Sequence, residues 1–161
     1  VPGNEMSNVV TFRNLLRSTS YAVLDSGHKY QYDKYNDVYR WIPLNGDIAG
    51  LCARTDFTDD PWFSPAGLNR GGLPTVIQPE RRLTVGQRNT LYTAKVNPIA
   101  VFPGQGTVVY GQKTLQSQAS ALDRVNVRRL LIELKKFVGD QARNLVFEQN
   151  TTTTILRVIS S

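Results

Sequence analysis

The most regular apolar pattern in the chain is Val127, Leu130, Leu131, Leu134, Phe137 and Val138. Steps of three and four residues put all six on one side of an α-helix. Asn126 stands where an N-cap belongs, and Arg128, Arg129, Lys135 and Lys136 fall off the stripe. The pattern predicts a helix packed on a sheet. Val9, Phe12 and Leu16, widened by Leu15, predict a second helix over 8–16 capped by Ser7. Ile48, Leu51 and Cys52 predict a third, capped by Asn45, with Asp47 favoured in its first turn by the helix dipole. It should end near Thr55 and Asp56. Gly50 inside it disfavours the helix by about 1 kcal/mol relative to alanine, which points to a neighbouring backbone packed close by. Thr84-Val85-Gly86-Gln87 is a capping box that opens a fourth helix, running to about Ala94 and broken by Asn97-Pro98.

Between the helices the pattern changes to β-rich runs. Lys29–Tyr32 and Val38–Ile42 flank a polar stretch and predict a hairpin ended by Pro43, its tyrosines suited to a half-buried or interface surface. Ile99–Phe102 and Thr107–Tyr110 flank Pro103-Gly104-Gln105-Gly106 and predict a second. Tyr21–Leu24, Leu73–Gln78 and Leu145–Phe147 read as short strands, Pro74 confining the middle one to a start or an edge. Residues 57–72 form a long loop carrying Trp62 and Phe63, rings whose burial would order it, and 112–122 form a polar loop. The β-branched run Thr151–Ile159 reads as a strand on composition alone. Helices alternating with short strands give an α/β (α+β) fold, a mixed β-sheet layer with helices packed on it in a single domain.

Composition narrows the function classes. A chain of 161 residues is long enough for one domain with a real core. No run approaches a membrane span, and the polar N-terminus lacks the apolar centre of a signal peptide. The first residue is not Met, and the apolar run Ile155–Ile159 lies at the other end. Both features predict a piece of something larger, incomplete at both termini. Cys52 is the one cysteine, so neither an intrachain disulfide nor a cysteine zinc site is available. The net charge of +6 implies either attraction to an acidic partner or solubility alone.

No set of residues points to catalysis or to a cofactor. His28 is the one histidine and sits before a strand. Asp56, Asp59 and Asp60 have the spacing of ordinary turn chemistry. Cys52 lies on an apolar helical stripe, where an inert thiol is expected. Gly104-Gln105-Gly106 lies in a hairpin and lacks the third glycine and following helix of a phosphate loop. A basic nucleic-acid-binding module is the physical alternative. Arg81, Arg82, Arg88, Arg128, Arg129, Lys135 and Lys136, with the tyrosines, are the residue types that bind phosphates and stack on bases.

Several stretches in order carry a family resemblance. DIAGLCARTD (Asp47–Asp56), Trp62 and SPAGLNRG (Ser64–Gly71) resemble the conserved-domain segment of contractile tail sheath proteins from T-even-type bacteriophages. KYQYDKYNDVYRW (Lys29–Trp41) before them, and VNPI (Val96–Ile99), DRVNVRRLL (Asp123–Leu131) and LVFEQN (Leu145–Asn150) after them, are similar in order and spacing. The resemblance implies a structural virion protein, not an enzyme. Its copies polymerise in helical rings around a tail tube, and they contract to drive the tube through the host envelope. It implies other sheath copies and the tube protein as partners, with baseplate and tail terminator proteins at the ends, and no membrane partner. It further implies that residues 1–161 are the inner conserved domain, that outer domains and a C-terminal arm are absent, and that 151–159 begins a helix. Terminal arms of neighbouring copies would add strands to the domain's sheet. On the predicted helix, Arg128 and Ile132 share one flank and Lys135 and Lys136 extend it. An apolar residue among cations there marks a candidate interface with an acidic surface of the tube or of the next copy.

Overall fold

The computed structural model describes residues 6–160. The chain runs α1 (Met6–Leu15), β1 (His28–Asp33), β2 (Val38–Pro43), α2 (Asn45–Thr58), β3 (Gln78–Pro79), α3 (Val85–Thr93), β4 (Ile99–Phe102), β5 (Gly106–Val109), α4 (Val125–Ala142) and α5 (Thr152–Ser160). This is the expected single mixed α/β domain, with its strands divided between two small antiparallel sheets, β2-β1-β3 and β4-β5. Both predicted hairpins form. In the first, Tyr30 pairs with Trp41 and Tyr32 with Tyr39. In the second, Ile99 pairs with Val109 and Phe102 with Gly106 across a turn in which Gly104 and Gly106 take positive φ.

Two apolar clusters hold these pieces together. Leu44, Leu51, Leu73, Ile99 and Val109 join the entry and inner face of α2 to the β4-β5 hairpin, with Ile48 packed against them. Val9, Leu91 and Val96 join α1 to α3, and Leu24 and Leu83 close over them. Each fully buried Val or Leu contributes roughly 1.5–3 kcal/mol. Asn97 is buried between the clusters, its side chain bridging Lys113 by accepting from the amide and donating to the carbonyl, at 2.7 and 2.9 Å. Lys29 is buried in β1 with its Nζ 2.7 Å from Asp47, so the dipole-favoured carboxylate of α2 also pins that helix to the hairpin.

The capping box forms as expected, Thr84 accepting from the Gln87 amide and Gln87 accepting in return from Thr84. Other local expectations are corrected. Ser7 lies within α1, not ahead of it. Leu44 and Arg124, not Asn45 and Asn126, occupy the N-cap positions of α2 and α4, and neither makes a side-chain cap bond. Helix α2 continues to Thr58. Residues 21–24 form no strand and tie to two different segments, Leu24 accepting from Asn97 and Ala22 from Leu115, so no ladder develops. Residues 73–77 turn, because Pro74 has no amide to donate and Val76 bonds back to Leu73. Residues 143–145 form a 3-10 turn, with Val146 and Phe147 exposed after it. Thr151 accepts from Thr154 and starts α5, so 152–160 is helical as the resemblance implied. Trp62 and Phe63 are exposed; the loop is held instead by Arg70, which pairs with Asp59 at 2.8 Å and stacks on Phe63.

Gly50 does not answer to a close neighbour: nothing lies within 4 Å of where its Cβ would stand. Gly50→Ala is therefore expected to stabilise the protein by about 1 kcal/mol through helix propensity alone. Thermal melting should show a rise of a few degrees; an unchanged or lowered midpoint would contradict the open site.

Candidate assembly surfaces

The residues that might have carried chemistry are engaged in structure. His28 Nδ1 and backbone amide both lie 3.1 Å from Glu80 Oε2, clamping β1 to the segment after β3. Asp56 pairs with Arg129, which also donates to the Cys52 backbone carbonyl, so this arginine anchors α4 to α2. Burial pushes the Cys52 thiol up, the Arg129 charge opposing this, and Cys52 is correspondingly poor as a thiolate nucleophile. Among the described residues, no cluster of His, Cys, Asp and Glu has the spacing of a metal site. Among the described residues, no helix is long and apolar enough to cross a membrane.

Three of the seven basic candidates are engaged within the fold, while Arg81, Arg82, Lys135 and Lys136 are exposed. Arg128 is buried, bonded to Ser20 and stacked 4.2 Å from the centre of the Tyr21 ring. Arg129 is held by Asp56, and Arg88 lies over Phe102 and Tyr110. With those three turned to the fold's own hydroxyl, carboxylate and rings, nothing among the described residues favours the nucleic-acid alternative. Arg128 thereby leaves the predicted flank, drawn inward by the attraction of its guanidinium to the face of the Tyr21 ring and by its bond to Ser20. Ile132, Lys135 and Lys136 stay exposed on α4.

The same helix corrects the largest packing expectation. Its N-terminal half is fastened by Val125, Arg128 and Arg129, but Leu134, Phe137 and Val138 are about half exposed. The stripe does not lie on a sheet; its distal half is an uncovered apolar face. Ile155, Leu156 and Ile159 of α5 are likewise exposed. Such faces are binding surfaces far more often than solvated ones when they are contiguous.

The hairpin supplies a third surface. Cross-strand register gathers Tyr30, Tyr32, Tyr39 and Trp41 on one face, ring centres 5.0 to 5.3 Å apart. The alternation of Tyr and Trp in the sequence was the available signal, but only the register shows that all four share a face. Strand β2 is exposed along its whole length and forms the outer edge of its sheet. Strand β3 covers β1 only at Lys29 and Tyr30, so the far half of β1 is also open on that side. Open backbone donors and acceptors beside an aromatic face are a template for a further strand.

Comparison with known proteins fits surfaces of this kind. The family model for the phage tail sheath protein central domain matches residues 13–115. The tail sheath protein of Vibrio phage KVP40 is 55% identical over 137 residues, which is 85% of this chain and 20% of that protein. That of Enterobacteria phage T4 is 49% identical over 144 residues, 89% of this chain and 22% of that protein. The chain thus spans about a fifth of the length of these curated relatives. The contracted-state sheath complex of PVC, an extracellular contractile injection system, shares the fold: TM-score 0.81 at 23% identity, over 97% of this chain and 42% of that one. With about half of its residues identical to tail sheath proteins over most of its length, and the central-domain model matched across both hairpins, the chain belongs to the phage tail sheath protein family.

Proposed function

We propose that this chain is a structural, non-catalytic part of a contractile tail sheath, the part through which neighbouring copies are joined around the tail tube. The observation that carries the reading is the open edge of β2 beside its ladder of aromatic rings. A strand from another copy would be held there by main-chain hydrogen bonds and sorted by side chains meeting the rings. A flexible connection to that strand would let copies turn against one another without separating. The uncovered faces of α4 and α5 support the same reading, since a protein that works as an assembly leaves its apolar faces for its neighbours. The tube protein is the partner on one side, other copies are the partners along the helix, and baseplate and terminator proteins meet the ends. The flank of Ile132, Lys135 and Lys136 suits an acidic surface on the tube or on the next copy. Exposed pairs are worth only ~0–1 kcal/mol each, which many copies multiply and which contraction can release.

Antibody raised against the chain should decorate the shaft of a contractile phage tail in electron micrographs. Decoration confined to the capsid, or a measurable turnover that depends on Asp56 or His28, would defeat the proposal.

A further inference from the structure

Between α3 and the β4-β5 hairpin lies a cleft of ≈ 510 Å³ lined by Val85, Arg88, Asn89, Tyr92, Phe102 and Tyr110. The Arg88 guanidinium sits 5.2 Å from the centre of the Phe102 ring and 5.5 Å from that of Tyr110. Its Nε is buried with no acceptor, and among the described residues no carboxylate reaches it. Tyr92, on the cleft wall, has the Lys113 Nζ 4.1 Å from its ring centre and Arg124 bonded to its hydroxyl. Lys95, Lys113 and Arg124 all lean on one carboxylate, Asp123. The cleft therefore has aromatic walls and an excess of positive charge, and Arg88 lacks a counter-ion. Its chemistry fits an aromatic ring accompanied by a carboxylate.

The chain itself carries that pair, with Trp62 exposed and Asp60 half-buried. In the last turn of α2 and just beyond it, Asp56 is held by Arg129 and Asp59 by Arg70, which leaves Asp60 with no cation among the described residues. Trp62 is 45% exposed two residues later. Asp60 and Trp62 are fixed relative to each other, since Pro61 restricts the backbone and the Phe63 amide closes a turn onto the Asp60 carbonyl at 3.0 Å. A preformed turn loses little freedom on binding. We infer that the Arg88 cleft of one copy receives the Asp60-Pro61-Trp62 turn of a second copy. The Asp60 carboxylate meets the Arg88 guanidinium, and the indole lies against Val85, Phe102 and Tyr110. The two surfaces come from different parts of the chain, so the contact is head-to-tail and extends into a helical array. It deepens the sheath reading and rests on it for bringing copies side by side.

Disulfide trapping tests the contact in solution. In a Cys52→Ser background, one tagged chain carries Asn89→Cys and a differently tagged chain carries Thr58→Cys. Mixing and mild oxidation should give a cross-tagged covalent dimer at least tenfold above a control pair in which Tyr35→Cys replaces Thr58→Cys. Asp60→Lys on the second chain, or Arg88→Glu on the first, should lower the yield at least tenfold, and the two together should restore most of it. Should Arg88→Glu fail to fold by circular dichroism, Arg88→Gln with Asp60→Lys decides by loss alone. Yields equal to the control, or unmoved by Asp60→Lys, overturn the inference. Shaft labelling without the cross-link would sink this contact and leave the sheath reading standing; the cross-link without shaft labelling would do the reverse.

Discussion

Gly71→Ala is expected to destabilise the protein by about 3 kcal/mol or more, at or above the top of the usual range for forcing atoms into packed space. A Cβ at this position would stand 2.5 Å from the Val109 carbonyl oxygen and 2.7 and 2.8 Å from the oxygen and nitrogen of Gly67. All three are backbone atoms, so no rotamer change relieves them. The site is tight because residues 67–73 are zipped to the edge of β5. Gly67 donates to Val109 at 2.9 Å, Val109 donates back to Gly71 at 2.8 Å, and Leu73 donates to Thr107 at 2.9 Å. Lifting the segment away would break these bonds, each worth about 0.5–1.5 kcal/mol, and uncover Leu73 and Val109 in the main core. For a chain of this size the loss should lower the melting midpoint by roughly 10 °C or more. Gly72→Ala is the internal control, since nothing lies within 4 Å of its Cβ position and little change is expected. Equal effects at the two neighbours would show that backbone crowding is not the cause.

Asp25→Asn should act in the opposite direction and only above mildly acidic pH. Burial raises the Asp25 carboxyl from an ordinary 3.8 to about 6, with the Asn97 side chain pulling the other way, and its Oδ1 has no hydrogen-bond partner. The folded protein therefore holds this proton more tightly than the unfolded chain. Below about pH 4 both states are protonated and the site is harmless. Stability then falls as pH rises from about 4 to about 6, levelling off with a penalty of up to ~3 kcal/mol at neutrality. The asparagine variant cannot ionise, so at pH 7 it should melt several degrees above the parent, while at pH 4 the two should nearly coincide. Asp123 is held below its ordinary range chiefly by its bond to Lys95, so its contribution disappears at lower pH and is common to both proteins. Parallel stability profiles for parent and variant between pH 4 and 7 would contradict this account.

Signals between near neighbours in the chain translated directly into structure. The Thr84–Gln87 box closes over four consecutive residues, and both hairpins are set by β-rich runs around polar turns. The failures were places where a distant segment competed for the same groups. Residues 21–24 have strand composition, yet their carbonyls are shared between Asn97 and Leu115. The α4 stripe is a correct statement about a helix and an incorrect one about its neighbour, because periodicity specifies a face without specifying what covers it.

The assembly surfaces divide in the same way. The residue order by itself determined that the chain has tail-sheath character and that tyrosines and a tryptophan cluster in one hairpin. Cross-strand register, not composition, put Tyr30, Tyr32, Tyr39 and Trp41 on a single face beside an open edge. Tertiary packing alone moved Arg128 from the exposed flank into a buried stack on Tyr21, and left Arg88 between two rings with no carboxylate. The physical reason is that a side chain's charge and apolar area are local properties. Whether they are satisfied or left for a partner depends on contacts between residues far apart in the chain, such as Tyr21 with Arg128, which no local pattern encodes.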